Sequence, residues 1–242
     1  MSAADDVEVS IWERIARPAR SLTTLDHERI AAAAIDIADA DGLDAVSMRR
    51  LAGQLGVATM ALYRYVSGKE DIFWLMVDAA FDDVDLDPDG APGDWQVVLR
   101  DHARRVRAGI LRHPWVGEAG ARVLIGLTPR RMAGAERVLV SIGHLDLDAD
   151  TGLAVFQTVN AYVWGATGGE VTQLRLMRRQ GFRSGDDLRT AYSRHMRWLM
   201  DTGRYPTYQR SIRAAKRKDD HDWRFEFGLD CVIEGIGKRL SI

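Results

Sequence analysis

One cysteine is all that the 242 residues carry, at position 231. A lone cysteine excludes an intramolecular disulfide and a cysteine-only zinc site. Set in an apolar stretch, Cys231 reads as a buried, inert thiol. Histidine is scarce as well. The six, at positions 27, 102, 113, 144, 195 and 221, are scattered, and none has a histidine partner four residues on. The pattern therefore carries neither clustered metal ligands nor a converging nucleophile and base, and an enzyme is not expected. No excess of one charge exists: 33 basic residues face 35 acidic ones, for a net charge of −2 and a pI of about 6.3. Bulk attraction to a polyanion is excluded, so any nucleic-acid contact must come from a local basic surface. Long apolar runs are missing too. No stretch suits a membrane span, and Asp5, Asp6, Glu8 and Glu13 interrupt the N-terminus where a signal peptide would need a continuous core. A cytoplasmic location is expected. Internal repeats and low-complexity segments are also absent.

The most informative stretch runs from Ser47 to Lys69. Ser47 is a good helix N-cap, because its hydroxyl can accept an orphan backbone N–H. Met48, Leu51, Ala52 and Leu55 then recur at helical spacing. Gly56 tolerates the positive φ of a sharp stop, and Val57 plugs the corner. Thr59 to Tyr65 can form a second short helix with Leu62 and Val66 turned inward. Met60, Ala61, Arg64 and Tyr65 are left largely outward. This is a helix-turn-helix, whose second helix enters the major groove of DNA.

Leu51-Ala52, Leu55-Gly56-Val57, Ala61-Leu62-Tyr63, Tyr65-Val66 and Lys69-Glu70 closely resemble the DNA-binding domain of the Tet repressor family. The resemblance implies an all-α fold: a three-helix DNA-binding domain joined by a linking helix to a larger helical ligand-binding and dimerisation domain. Following the family residue by residue, the DNA-contacting set is Ser47, Met48, Arg49, Thr59, Met60, Ala61, Tyr63, Arg64, Tyr65 and Lys69. Arg49 and Arg64 can each present a two-pronged donor to guanine. Thr59 can hydrogen-bond a base, and Met60 and Ala61 can touch a thymine methyl. Tyr63 and Tyr65 suit phosphate oxygens, with ordinary packing as their other use. Lys69 sits at a helix start, where charge and backbone N–H groups favour a phosphate. Met60 and Ala61 depart from residues common at their positions in the family, so no operator sequence carries over.

Around this motif the chain divides into residues 1–24, 25–86 and 94–242. The first stretch reads as an irregular, flexible basic arm with Arg14, Arg17 and Arg20; a plain disordered tail and an arm on the DNA backbone both stay open. A helix over 25–41, capped by Asp26 or Thr24 and stopped by Gly42, carries Ile30, Ala34, Ile37 and Ala38 on its apolar face. A linking helix begins near Lys69, with Ile72, Leu75, Met76, Ala79 and Ala80 in period, and should end in the acidic run from Asp82 to Pro92. Beyond it, Trp95 to Ile110 form one helix that His113-Pro114 breaks. Trp115 opens a short segment. Pro129 opens the next helix, which ends near Gly143. A long helix spans about 150–178, another about 185–202, and Tyr205 to Asp222 reads as a mixed loop with a basic cluster. The final helix bears Phe225, Leu229, Val232, Ile233, Ile236 and Leu240.

Leu111-Arg112-His113-Pro114-Trp115 and Phe225-Glu226-Phe227-Gly228-Leu229 are also similar to relatives of the Tet repressor class. In that family the long helix and the last one pair with their symmetry mates in a four-helix bundle, which implies a homodimer. His102, Trp115, Gln157, Asn160 and Trp164 are the candidates for an effector pocket; the last three share a helical face. Core packing is the competing role for each. No cofactor is expected: tetracycline-binding members hold magnesium with the drug, but nothing in this sequence identifies those ligands. The implied function is a ligand-responsive transcriptional regulator, a repressor on a palindromic operator released by a small apolar or aromatic molecule. The alternative is a DNA-binding regulator without a small-molecule ligand.

Overall fold

The computed structural model describes residues 10–16, 25–81 and 94–242. Among them there are helices and turns and no strand. The chain forms two compact units, residues 1–146 and 147–242.

The first unit opens on α1 (Ile11–Ala16), inside the stretch expected to be irregular. A reciprocal cap explains it. Ser10 N donates to Glu13 Oε2 at 3.0 Å and Glu13 N donates to Ser10 Oγ at 3.2 Å, the Ser-x-x-Glu box that starts helices, while Ile11 is buried. The remainder of the proposed arm lies outside the described residues. Helix α2 (His27–Asp41) is capped by Asp26, whose carboxylate accepts from Arg29 N. Its buried Ile30, Ala34, Ile37 and Ala38 are the stripe the spacing predicts. After a single 3-10 turn, with Leu43 and Val46 buried, come α3 (Met48–Leu55) and α4 (Thr59–Leu62). Helix α5 (Lys69–Ala79) follows; the expected extension to residue 86 and the acidic run lie outside the described residues. Burying a side chain such as Ile30 or Ile72 contributes about 1.5–3 kcal/mol, and α2 packs against both α3 and α5. The same unit holds α6 (Trp95–Arg112), α7 (Val116–Ala119) and α8 (Pro129–Ile142). Pro129 stands in the first turn of α8, as its fixed φ and missing N–H favour.

In the second unit α9 (Ala149–Gln180) is capped by Asp148. It pairs with α13 (His221–Leu240). Val155, Val159, Val163 and Val171 face Phe225, Leu229 and Ile233, all buried, and Tyr162 Oη donates to Phe225 O at 2.7 Å. Between them the sequence reading needs two corrections. The segment 185–202 is two helices, α10 (Gly185–Ala191) and α11 (Ser193–Asp201), because the chain turns at Tyr192. The expected loop contains α12 (Pro206–Ala214), started by its proline. Cys231 is exposed, not buried; it lies on the face of α13 away from the valines.

Candidate nucleic-acid interface and cavities

The reader is fixed from both ends of its turn. Ser47 Oγ accepts from Arg50 N at 3.3 Å. Gly56 adopts φ 68°, ψ 30°, a left-handed stop, and Val57 N closes the turn on Ala52 O at 3.0 Å. Leu62 and Val66 are buried and anchor the second helix. That helix is shorter than its sequence implies: regular only over Thr59–Leu62, then a turn through Tyr65. The anchoring leaves Met60, 73% exposed, and Tyr63, 46% exposed, on the outer side. Arg64 joins them there, and Arg49 is exposed on α3; Thr59, Ala61 and Met48 are half-buried and Ser47 is exposed. The structure thus brings a cation, an apolar tip and a hydroxyl to one surface, the mixture that phosphate positioning and base contact need.

Tyr65 and Lys69 have additional structural work. Tyr65 is half-buried, its ring edge-on to His27 with centroids 5.6 Å apart, and His27 Nε2 lies 3.1 Å from Tyr65 O. Lys69 Nζ stands 5.3 Å from the Phe73 ring centroid, a cation–π position. Arg14, read from sequence as part of a basic arm, has internal partners that the sequence did not show. From α1 its guanidinium bonds Ser67 Oγ and the Asp71 carboxylate, and Asp71 Oδ2 also accepts from Ser67 N at 2.6 Å. The turn leading into Lys69 is thereby braced by a helix more than fifty residues away.

The effector candidates divide between the units. His102 is buried and lines a narrow cavity of about 80 Å³, walled by Phe81, by Val98 and Val106 of α6, and by Arg131 and Val138 of α8. Arg131 is only 8% exposed, and its guanidinium lies 4.8 Å from the Phe81 ring centroid. Burial draws its pKa down to about 10, which still leaves it charged at neutral pH. Trp115 is elsewhere. It is 2% exposed, and its Nε1 donates to Asp39 Oδ1 at 2.7 Å, so the indole serves the core and does not line this cavity. On α9, Gln157 is exposed, whereas Asn160 and Trp164 are half-buried; Asn160 Nδ2 donates to Phe156 O at 2.9 Å. Gln157 is therefore not enclosed in any core or pocket of the single chain. The second unit also holds an open cleft of about 710 Å³ walled by Leu176, Tyr192, Met196, Met200 and Ile212. It escaped the sequence because one wall is α12, read as loop.

Among the described residues no group of three or more His, Cys, Asp or Glu could hold a metal ion. No helix among them is long and apolar enough to cross a membrane.

Comparison with known proteins agrees with this geometry. Residues 30–74 match the profile of bacterial regulatory proteins of the tetR family, and residues 87–240 match that of the tetracyclin repressor-like C-terminal domain. The HTH-type transcriptional repressor DrrR1 of Streptomyces coeruleorubidus is 34% identical over 228 residues, covering 93% of this chain and 83% of its own. An HTH-type transcriptional regulator of Saccharopolyspora erythraea is 28% identical over 246 residues, covering 100% and 97%. Among solved structures, ActR of Streptomyces coelicolor in complex with actinorhodin superposes with a TM-score of 0.70 at 26% identity, over 89% of this chain and 96% of that one. A helix-turn-helix with its reading face outward, followed by these helices and shared with named repressors along nearly the whole length, places the chain in the TetR family of DNA-binding transcriptional regulators, which are not enzymes.

Proposed function

We propose that the protein represses transcription from a palindromic operator, as a cytoplasmic homodimer, and leaves it when a small apolar or aromatic molecule binds the helical region. The observation that supports this best is the reader surface: Met60, Tyr63 and Arg64 outward over buried Leu62 and Val66. Such a head covers only a half-site. Two heads on a two-fold axis read a palindrome when they sit about 34–36 Å apart, one turn of DNA. The remaining members of the contact set, Ser47, Met48, Arg49, Thr59, Ala61, Tyr65 and Lys69, position the head on the backbone and bases.

The effector half of the proposal draws on the relative bound to actinorhodin and on the cavity around His102, where Phe81, Val98, Val106 and Val138 stand among several arginines. Gln157, Asn160 and Trp164 on α9 are the second candidate set. Trp115 acts through packing within the first unit and not by touching the molecule. Sequencing the DNA that the purified protein retains supplies the operator. Thermal shift with actinorhodin and a panel of aromatic metabolites then tests the effector, since a ligand of the native state raises its stability. A hit that loses its effect in His102→Ala, or instead in Trp164→Ala, assigns the unit. A panel in which nothing stabilises the protein or weakens its operator binding favours the regulator without a small-molecule ligand.

A further inference from the structure

The end of α2 breaks a local rule. Asp36, Asp39 and Asp41 crowd its C-terminal part, with no basic residue in the last turn. Carboxylates there face the negative end of the helix dipole, which is unfavourable unless groups outside the helix compensate. Such groups are present. Trp115 Nε1 donates to Asp39 Oδ1 at 2.7 Å, and His113 Nδ1 lies 2.9 Å from Oδ2 and 3.0 Å from Oδ1. A carboxylate only accepts, so Nδ1 is the protonated nitrogen of that ring. His113 ends α6 and Trp115 precedes α7. A single side chain of the reader therefore holds both donors of the bend between these helices.

The connections continue in both directions. Two residues past Asp39, the Asp41 carboxylate pairs with Arg50 of α3, and Gln54 Nε2 of α3 donates to Ala33 O of α2 at 3.2 Å. Helix α2 thus grips the first helix of the helix-turn-helix and the α6–α7 bend together. On the far side, α6 forms a wall of the His102 cavity. One turn before the bend, Gly109 sits so close to the end of α5 that an added Cβ would lie 2.9 Å from Ala80 O. Gly109 thus packs α6 tightly against α5 one turn before the bend that Asp39 holds.

We propose that Asp39 is the positioning residue that couples α6 to the DNA reader, its carboxylate carrying motion between the His113–Trp115 bend and α2. What moves α6 in the cell rests on the effector reading above; the coupling itself does not, because by reciprocity DNA binding at the reader must act back on the bend. Adjacency becomes coupling only when both ends bias the same bonds, so the test loads one end and reads the other. The probe is the DNA fragment selected by the purified full-length protein. Amide hydrogen exchange is followed at residues 107–119, together with the indole N–H resonance of Trp115, identified by its loss in Trp115→Phe. In the wild type, DNA should slow exchange at 107–119 by about fivefold or more, the low end of allosteric coupling, and shift that resonance. Asp39→Asn should bind the same DNA with nearly wild-type affinity and lose most of the slowing. Trp115→Phe, which keeps the carboxylate and the His113 bond, should lose part of it and guards against a misfolded Asp39→Asn. An unchanged DNA-induced slowing in Asp39→Asn, or none in the wild type, overturns the proposal. A failed effector screen leaves this measurement untouched, so the two readings fail separately.

Discussion

Arg64 and Lys69 are both cations of the reader, and their surroundings suit them to different proposed tasks. Arg64 is exposed just past the short recognition helix, free to fork onto a base. Lys69 is half-buried with its ammonium over Phe73, a placement suited to one phosphate. Arg64→Ala should weaken operator binding by about 1–3 kcal/mol and relax preference at one base pair. Lys69→Ala should weaken all sequences alike and reduce the salt slope by about 1. Gel-shift titrations on operator and scrambled DNA at several salt concentrations separate the two; equal losses for Arg64→Ala on both DNAs would make it a phosphate contact. Gly109 gives a stability prediction at the same scale. Its missing Cβ faces a backbone oxygen, which cannot rotate away, so Gly109→Ala should cost about 1–3 kcal/mol by overpacking, read from denaturant midpoints. Single residues were legible where their neighbours in sequence decide their environment, as for Ser47 and Gly56. Trp115 was not. Its hydrogen-bond acceptor, Asp39, is 76 positions away, a distance over which spacing says nothing, and a buried tryptophan is written the same whether it meets a ligand or a carboxylate.

At the scale of elements, the helix starts at Asp26 and Ser47 and the apolar stripe of α2 were readable, whereas the capping boxes that open α1 and α10 were not read. Asp26 and Ser47 satisfy orphan backbone groups as their sequence suggests, and Asp148 and Asp220, which were not singled out, do the same: each accepts from an N–H in the first turn. The interior break at Tyr192 has no such marker, and α10, α11 and α12 bury no residue in the single chain, so their apolar faces gave no core to infer. Removing a cap should have a local cost: Ser47→Ala should destabilise by about 1 kcal/mol. The cap of α9 also sets a pH dependence. The Thr151 hydroxyl, and then its backbone N–H, hold the Asp148 carboxyl below its ordinary value. A depressed folded-state pKa gives stability that is present above the unfolded pKa, near 4, and is lost as the pH falls through the folded value. Titrating the Asp148 carboxyl carbon by NMR should place its midpoint below that of an unfolded peptide; a midpoint at or above the peptide value would remove the cap from the pH argument.

Over the whole molecule, the question is which apolar surface remains for a second copy. The seam of the last helix looked available from sequence, but Phe225, Leu229 and Ile233 are already buried within the unit that α9 and α13 share. Ile233→Asp would therefore place an unpaired charge in that core and should unfold the unit. It cannot report on association. The outward face of α13 is different. Phe227 is 58% exposed, its ring stacked 5.3 Å from that of Trp223, and the next positions along that face are small, Cys231 and Gly235, both exposed. The exposed side of α9 is small as well, with Ala154, Ala161, Gly165 and Gly169, so helices can approach closely there. If two copies pair through these faces as a four-helix bundle, Phe227→Asp should yield a folded monomer: unchanged helix content by circular dichroism, half the mass by sedimentation, and operator affinity lowered because one head reads a half-site. Half-buried Ile236 tests the border of the same surface, and Ile236→Asp should weaken the dimer too. Cys231 supplies a check without substitution. As the protein is diluted through its dimer dissociation range, its one thiol should react faster with a maleimide. A wild type that sediments as a monomer at micromolar concentration, or a Phe227→Asp variant that stays dimeric, would place the interface elsewhere and leave the spacing of the two reading heads without its proposed support.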